Sequence, residues 1–380
     1  MTTPPNMTST EYSEVEERIS VASQRQLIWW RFKRHKIALI ATSIVIAFYL
    51  VVIFADFLAT GNPSDSEAFR GLMPIQRLHF FDGLKPDMHV CAVSGERDFT
   101  TFKRVYQTDC DNKKDVRFLA KGYKYRLFAF IPTDRHLIGM SDSSLKSEEH
   151  IFLLGTDKQG RDMYSRLIFA TRVSLSISLI GVVLSIFLGI VLGAVSGYYG
   201  GLLDNIIQRL IEIVRSVPTI PLYMGMAAAF PPDWSIVRIY FAITIIISLF
   251  AWTDLARVVR GRFLGLRYEE FVTAAKVAGA SERRIIFRHM LPSFYSHIIA
   301  AASLALPLMI ISETTLSFLG LGLRPPAISW GVLLKDAQNV QTIALSPWLL
   351  LPAVPVIVAI LSLNFMGDGL RDAADPYSDN

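Results

Sequence analysis

The chain has 380 residues, 52% of them hydrophobic and 19% charged, with a formal charge of +5. Its apolar residues gather into runs long enough to cross about 30 Å of hydrocarbon at about 1.5 Å per residue, which is the composition of a membrane protein. The positive charge is not a nucleic-acid footprint, because no basic stripe is interleaved with aromatics on a recognisable binding element.

Residues 1–25 are rich in Thr, Ser and Glu and read as a disordered tail, with a short amphipathic lead-in at 26–32. Trp29 and Trp30 precede the basic cluster Arg31, Lys33, Arg34 and Lys36 and suit interfacial anchoring. The apolar run at 36–59 is too long for the core of a signal peptide, follows a long tail and lacks a small-residue cleavage site. It is expected to be a signal anchor and the first span.

Residues 60–161 form an insertion before the next apolar run. Its aromatic or β-branched segments, at 99–106 and 123–131, are separated by polar turns, which predicts a small mixed or β-rich cap. Cys91 and Cys110 are the only cysteines and both fall here. A disulfide between them is feasible in an oxidising external compartment, and the spacing leaves pairing open. At the end of the insertion, GTDKQGRD (155–162) lacks the spacing of a nucleotide-binding Walker lysine motif. Asp157, Gly160 and Asp162 suit a tight turn and a helix start instead.

Further spans are expected at 172–198, 206–230, 239–261, 293–318 and 344–368. The one at 206–230 is the weakest, since Arg209, Glu212 and Arg215 interrupt it and Pro218 and Pro221 bend or break a helix. A displaced start or a discontinuous helix is expected there. Six crossings put both termini on one side. The basic cluster before the first span and Arg257, Arg260, Arg262, Arg267, Lys276, Arg283, Arg284 and Arg288 make that side cytoplasmic. The long insertion is translocated regardless of its charge.

Within the spans, Gly181, Gly189, Gly193 and Gly197 permit close helix approach, in static packing or in sliding between subunits. Asp254 lies three residues before Arg257, which suggests a local ion pair. Glu313 lies near an external end and either lines a pathway or satisfies hydroxyl and backbone groups. The segment 320–330, with Gly322 and Pro325–Pro326, reads as a re-entrant or surface loop, and Trp330 as an interfacial anchor or a contact for an external protein.

No catalytic constellation emerges. His289 and His297 are eight positions apart with no acidic or cysteine ligand at helical metal spacing, and neither Gly-x-Ser-x-Gly nor His-Glu-x-x-His occurs.

The cytoplasmic segment TAAKVAGASERRIIFRHMLP (273–292) carries the strongest functional signal. A short helix at 268–276, a change of direction at Gly279 and Ala280, a second helix capped by Ser281 through His289, and Pro292 at the start of the next span make a helical hairpin. Ala274, Ala275, Val277 and Ile285 can seat in a partner groove while Arg283, Arg284 and Arg288 meet an acidic rim. A basic interfacial helix held near anionic lipid fits the same pattern.

This segment resembles the EAA coupling loop of permease subunits of bacterial ABC importers of the dipeptide and oligopeptide group. The matching positions are Thr273, Ala274, Ala275, Gly279, Leu291 and Pro292. Thr273 replaces the usual glutamate, and Glu270 lies three positions earlier. The resemblance continues through LLGTDKQGRDMYSRLIFATRVSLSISL, GYYGGLLDNIIQRLIEIVRSVPTIPL, SETTLSFLGLGLRPPAISWG and NFMGDGLRDAADP, covering about 153–376 together with the basic leader and first span. It does not cover the insertion well.

The resemblance implies an all-α polytopic membrane protein with the type I ABC importer transmembrane fold of about six spans, plus the small mixed or β-rich external insertion. The expected organisation is a tail and lead-in (1–35), the first span (36–59), the external insertion (60–161), a core permease domain (162–368) holding the coupling loop (262–292), and a cytoplasmic C-terminal tail (369–380). Implied partners are a homologous second permease, two ATPase subunits, an external substrate-binding protein and membrane lipid, with no nucleic acid. ATP and Mg belong to the ATPases and no cofactor to this chain, which is not itself an enzyme. The coupling role is carried to Ala274, Ala275, Gly279, Arg284, Leu291 and Pro292, the location to the bacterial inner membrane, and the cargo to peptides or related small solutes. An ion-coupled secondary transporter can also use six spans and buried acids, but the coupling-loop pattern and sparse intramembrane charge oppose it. A membrane enzyme lacks its constellation.

Overall fold

A computed structural model describes residues 24–82, 85–97, 99, 104–128, 130–140, 151–231 and 233–374. The tail at 1–23 and the end at 375–380, for which disorder and a cytoplasmic tail are expected, lie outside the described residues. Helix α1 (Gln24–Arg34) has a basic last turn, where the Lys33 ammonium sits 5.2 Å from the Trp29 ring centre. His35 then caps α2 (Lys36–Ile53), its Nδ1 accepting from the Ala38 amide. At about 1.5 Å per residue α2 spans roughly 27 Å, enough for the hydrocarbon layer. A short helix α3 (Ala55–Leu58) follows.

The insertion is an antiparallel meander in the order β1-β2-β3-β4: Leu78–Asp82, Lys85–Arg97, Arg104–Leu127 and Ile131–Met140. The long β3 pairs through its first half with β2 and through its second half with β4. A bulge shifts the register between Cys91 and Ala92, so Cys91 lies opposite Lys113 and Ala92 opposite Asp109. At this bulge Cys91 is bonded to Cys110.

Helix α4 (Met163–Tyr199) starts nine residues before the expected span at 172. The apolar run does begin there, but the helix is started by Asp162, whose carboxylate accepts from the Tyr164 and Ser165 amides at 3.1 and 3.0 Å. Its early arginines are accommodated by partners, Arg166 lying 3.6 Å from Asp157 and Arg172 2.6 Å from Asp56.

The segment expected to cross at 206–230 is two helices, α5 (Gly201–Ser216) and α6 (Thr219–Ala228). They part at Val217, which is held extended (φ −93°, ψ 129°) ahead of Pro218. Helix α7 (Ile236–Leu266) then runs beside α4 in the same direction. The pairing shows this directly: Gly181 meets Ser248, Gly189 meets Leu255, Gly193 meets Ala256, and Gly197 meets Arg260 and Phe263. A Cβ at Gly193 would lie 2.5 Å from the Ala256 carbonyl oxygen, and one at Gly197 2.7 Å from that of Arg260. The glycines therefore serve contact inside this chain.

Parallel packing has a topological consequence. The chain leaves α4 at one end of the bundle and enters α7 at the other, so residues 201–228 must traverse its height. Five helices among the described residues are long and apolar enough to cross a membrane. The broken pair α5–α6 supplies a sixth passage.

Helix α8 (Glu270–Val277) and α9 (Glu282–Arg284) follow, and a π-helical stretch (Ile285–Met290) and a 3-10 turn (Leu291–Phe294) lead into α10 (Tyr295–Phe318). Helix α10 runs antiparallel to α4, Ser174 facing Glu313 and Gly181 facing Met309. Past α11 (Trp330–Lys335) and α12 (Val340–Leu345), α13 (Ala353–Ala374) packs on α10 and α2. It continues past the expected end of the core at 368. Gly369 lies against Ala38, and Phe32, Ala38 and Ala373 share a cluster, so the first and last described helices meet at one end of the bundle.

The link between the broken passage and the parallel pair is ionic. Asp204 on α5 accepts from Arg260 Nε and Nη2 at 2.5 and 2.6 Å and from the Ser196 hydroxyl at 2.5 Å. A two-pronged carboxylate–guanidinium contact of this kind contributes about 1.5–3 kcal/mol when partly buried. Asp204→Asn is expected to lower the thermal midpoint of the purified protein by several degrees, while Arg209→Gln, whose side chain is 80% exposed, leaves it unchanged; differential scanning fluorimetry in detergent measures both.

Candidate functional site

The loop between α7 and α10 is closed by backbone geometry. Gly279 has φ +77°, its amide donates to the Lys276 carbonyl, and the Ala280 amide donates to the Ala275 carbonyl. These two bonds form a Schellman motif, which ends α8 with a left-handed residue that glycine adopts without strain. Ser281 stands at the N-cap position of α9 with extended backbone, but its side chain makes no capping bond. The expected second helix is present with a π-helical stretch inside it, ending in the 3-10 turn that begins at Leu291 and holds Pro292.

The six residues assigned to coupling divide by exposure. Ala274, Gly279 and Arg284 face outward, Ala275 and Pro292 are half-buried, and Leu291 is buried. Val277 is 85% exposed, so it can meet a partner. Ile285 cannot: it is 1% exposed and packs with Val259, Phe263, Val272 and Met290. Its expected place in a partner groove is therefore corrected to that of a core residue seating the loop. Arg283 and Arg288 are exposed beside Arg284.

Two aromatic residues at the end of α4 also hold the loop. The Tyr199 hydroxyl donates to Glu282 at 2.8 Å, and the Lys276 ammonium lies 5.5 Å from the Tyr198 ring centre. Sequence reading missed this role. The GYYGG spacing at the end of an apolar run was the available signal.

The intramembrane acids are placed differently from each other. Asp254 pairs with Arg215 of α5, not with Arg257 one turn along its own helix. The interhelical partner wins because α5 brings a guanidinium directly against it. Glu313 is fully buried and accepts from the hydroxyls of Ser174 at 3.0 Å and Ser317 at 2.9 Å. It satisfies hydroxyl groups and is closed off from the surface of this chain.

Around Glu313 the same hydroxyls hold the loop at 320–330. Ser317 Oγ accepts from the Leu323 amide and Ser174 Oγ from the Trp330 amide. Trp330 is 0% exposed, its indole donating to Thr171 Oγ1 at 3.2 Å, so it is a core side chain and neither an interfacial anchor nor an exposed contact.

At the end of the bundle that carries the insertion, the GTDKQGRD turn forms as expected. Asp157 accepts from the Gln159 and Arg161 amides and from Arg161 Nε at 2.7 Å. Thr156 ties this turn to the start of the insertion, its hydroxyl donating to the Arg70 carbonyl and accepting from the Met73 amide. Burial pushes the Asp162 carboxyl above its ordinary range, against the lowering effect of the Ser165, Thr60 and Tyr164 bonds.

Comparison with known proteins places this arrangement. Residues 189–378 match the model of the binding-protein-dependent transport system inner membrane component, and 23–74 match the N-terminal TM domain of oligopeptide transport permease C. The chain belongs to this permease family. Its relatives include the oligopeptide transport system permease protein OppC of Salmonella typhimurium, 43% identical over 250 residues, or 66% of this chain and 79% of the relative. The OppC of Escherichia coli K12 is 42% identical over the same shares. That of Haemophilus influenzae is 39% identical, over 66% of this chain and 76% of the relative. Among solved structures, an inward-facing form of the MetNI methionine ABC transporter aligns with 56% of this chain and 98% of its own, with TM-score 0.44 and 17% identity.

Membership gives the chain the type I ABC importer permease fold and makes it a transport subunit of the membrane. The sheet of the insertion falls between the two matched stretches, outside both.

The buried acid generates a prediction. Glu313→Leu leaves the Ser174 and Ser317 hydroxyls without their acceptor, at about 1–3 kcal/mol for each stranded group. Glu313→Gln keeps an acceptor. Thermal unfolding in detergent is expected to show a clear loss for Glu313→Leu and a smaller one for Glu313→Gln; equal losses would mean that the carboxylate is not the hub of this cluster.

Proposed function

We propose that this chain forms half of the translocation pathway of an ATP-driven importer of oligopeptides. It pairs with a homologous permease, receives cargo from an external substrate-binding protein, and couples to two ATPase subunits through the loop at 262–292. ATP and Mg bind the ATPases. The peptide cargo rests on the oligopeptide permeases among its relatives. Both termini and the loop are cytoplasmic in this reading, which the concentration of Arg and Lys at that end of the bundle supports.

The observation that carries the proposal is the closure of α8 by Gly279. A hairpin seated on α7 through Val272 and Ile285 leaves Ala274, Val277 and Arg284 outward. A force applied to α8 thereby reaches α7 and, through the segment at 285–294, α10. Small apolar residues with flanking guanidiniums suit a groove with an acidic rim.

Around Gly279 no atom lies within 4 Å of an added Cβ, so the test separates conformation from crowding. Gly279→Ala meets only the cost of a left-handed alanine, about 1–2 kcal/mol. Gly279→Pro cannot reach positive φ and loses the amide that donates to Lys276. In proteoliposomes holding the whole importer, peptide uptake per ATP hydrolysed is expected to fall for Gly279→Ala and to be lost for Gly279→Pro, with assembly retained. Full uptake by both variants would overturn the coupling role.

A further inference from the structure

The insertion carries a surface for which the transport role gives no use. Strands β3 and β4 meet in a hairpin whose tip presents Phe128, Phe130 and Ile131, which are 46%, 74% and 46% exposed. Large apolar side chains gathered at the tip of a polar strand pair mark an interaction site.

What lies beside the tip identifies its occupant. The Phe128 ring meets Phe54 edge-on, with ring centres 5.7 Å apart, and Phe54 follows directly on Ile53, the last residue of α2. The strands behind the tip stand against α3: a His136 ring nitrogen lies 2.9 Å from the Asp56 carbonyl oxygen, and the Tyr123 hydroxyl donates to that oxygen at 3.5 Å.

The depth of this contact is set by charge. Asp56 and Arg172 pair at 2.6 Å, and Arg172 Nε donates to the Val52 carbonyl. These are the first charges above the uncharged stretches of both α2 and α4, so they mark where hydrocarbon gives way to headgroups. Just below them α2 exposes Leu50 and Ile53. The apolar tip is thus continuous with the flank of a membrane-spanning helix, at the level of the interface.

The residues behind the tip complete the pattern. Lys124 and Arg126 are exposed and alternate along β3 with the half-buried Tyr123 and Tyr125. Apolar groups at the end, with aromatic hydroxyls and cations one step behind, match the gradient from acyl chain to phosphate.

We infer that the β3–β4 hairpin is a membrane anchor. Phe128, Phe130 and Ile131 enter the external leaflet beside α2, and Lys124 and Arg126 meet lipid phosphates. The bilayer then holds the tip of the hairpin, in addition to the contacts that hold the sheet to α3 and to the start of the insertion. This anchoring does not depend on which cargo the protein carries.

The two native cysteines are bonded to each other, so an introduced cysteine supplies a single free thiol for a spin label. Phe130→Cys, at an exposed position, and Arg117→Cys, exposed farther up β3, would be labelled in the full chain in nanodiscs of phosphatidylethanolamine and phosphatidylglycerol. Power saturation with oxygen and with a water-soluble nickel chelate reads the surroundings. The anchor predicts that oxygen outcompetes the chelate at 130 and that the order reverses at 117. Chelate access at 130 equal to that at 117 would place the tip in water, and exclusion of both reagents from 130 would mean a protein partner covers it. Either result overturns the proposal.

Discussion

Contact between α4 and α7 is the constraint on which the rest of this molecule depends. Glycines on α4 let the helices approach until a side chain at Gly193 or Gly197 would strike the opposing backbone. Packing of this kind is the main source of cohesion between helices in lipid, where no hydrophobic difference drives association. Because the pair is parallel, the chain between them must return through the membrane. That need explains why a segment as polar as 201–216 belongs to the bundle at all. Its charges are matched to the site: Asp204 takes Arg260, and Arg215 takes Asp254. The broken passage at 201–228 is thus fixed by ion pairs to α7 as well as by apolar burial of Ile207 and Ile211 against Trp252 and Ala256.

From that pair the mechanical organisation follows. The far end of α7 carries the loop, which packs Val272 and Ile285 against Val259 and Phe263, so α8 is seated on the helix it follows. At the opposite end, Glu313 and its hydroxyl partners bind α4, α10 and the loop before α11 into one unit. The Asp204 and Glu313 clusters each join elements distant in sequence. A polar group left unmatched in such surroundings is expensive, so these clusters specify which helices meet and not merely that they meet.

Much of this was legible from residues alone, where the signal is local. The uncharged runs marked the long helices, the proline at 218 marked the break, Gly279 marked the left-handed turn, and GTDKQGRD marked the cap of α4. What sequence could not supply is partnership across the bundle. Asp254 has Arg257 one turn away, yet pairs with Arg215, because α5 brings that guanidinium against it. Trp330 looks like an interfacial residue beside a Pro-Pro turn, yet it is the core side chain packed over Thr171. Ile285 belongs to an exposed-looking basic hairpin, yet it is the residue that seats it. The start of α4 was misplaced for the same reason: Arg166 and Arg172 end an apolar run, but acids from other segments neutralise them.

The passage of 201–228 through the membrane puts the turn before α7 and the loop at 262–292 on opposite sides. Single cysteines at Asp233 and Ala278, both exposed, test this when intact cells are treated with a membrane-impermeant maleimide after outer-membrane permeabilisation. The account predicts labelling of Asp233→Cys in whole cells, and of Ala278→Cys only after the inner membrane is opened. Equal accessibility of both positions from one side would contradict the sixth passage, and with it the direction in which α7 delivers the loop.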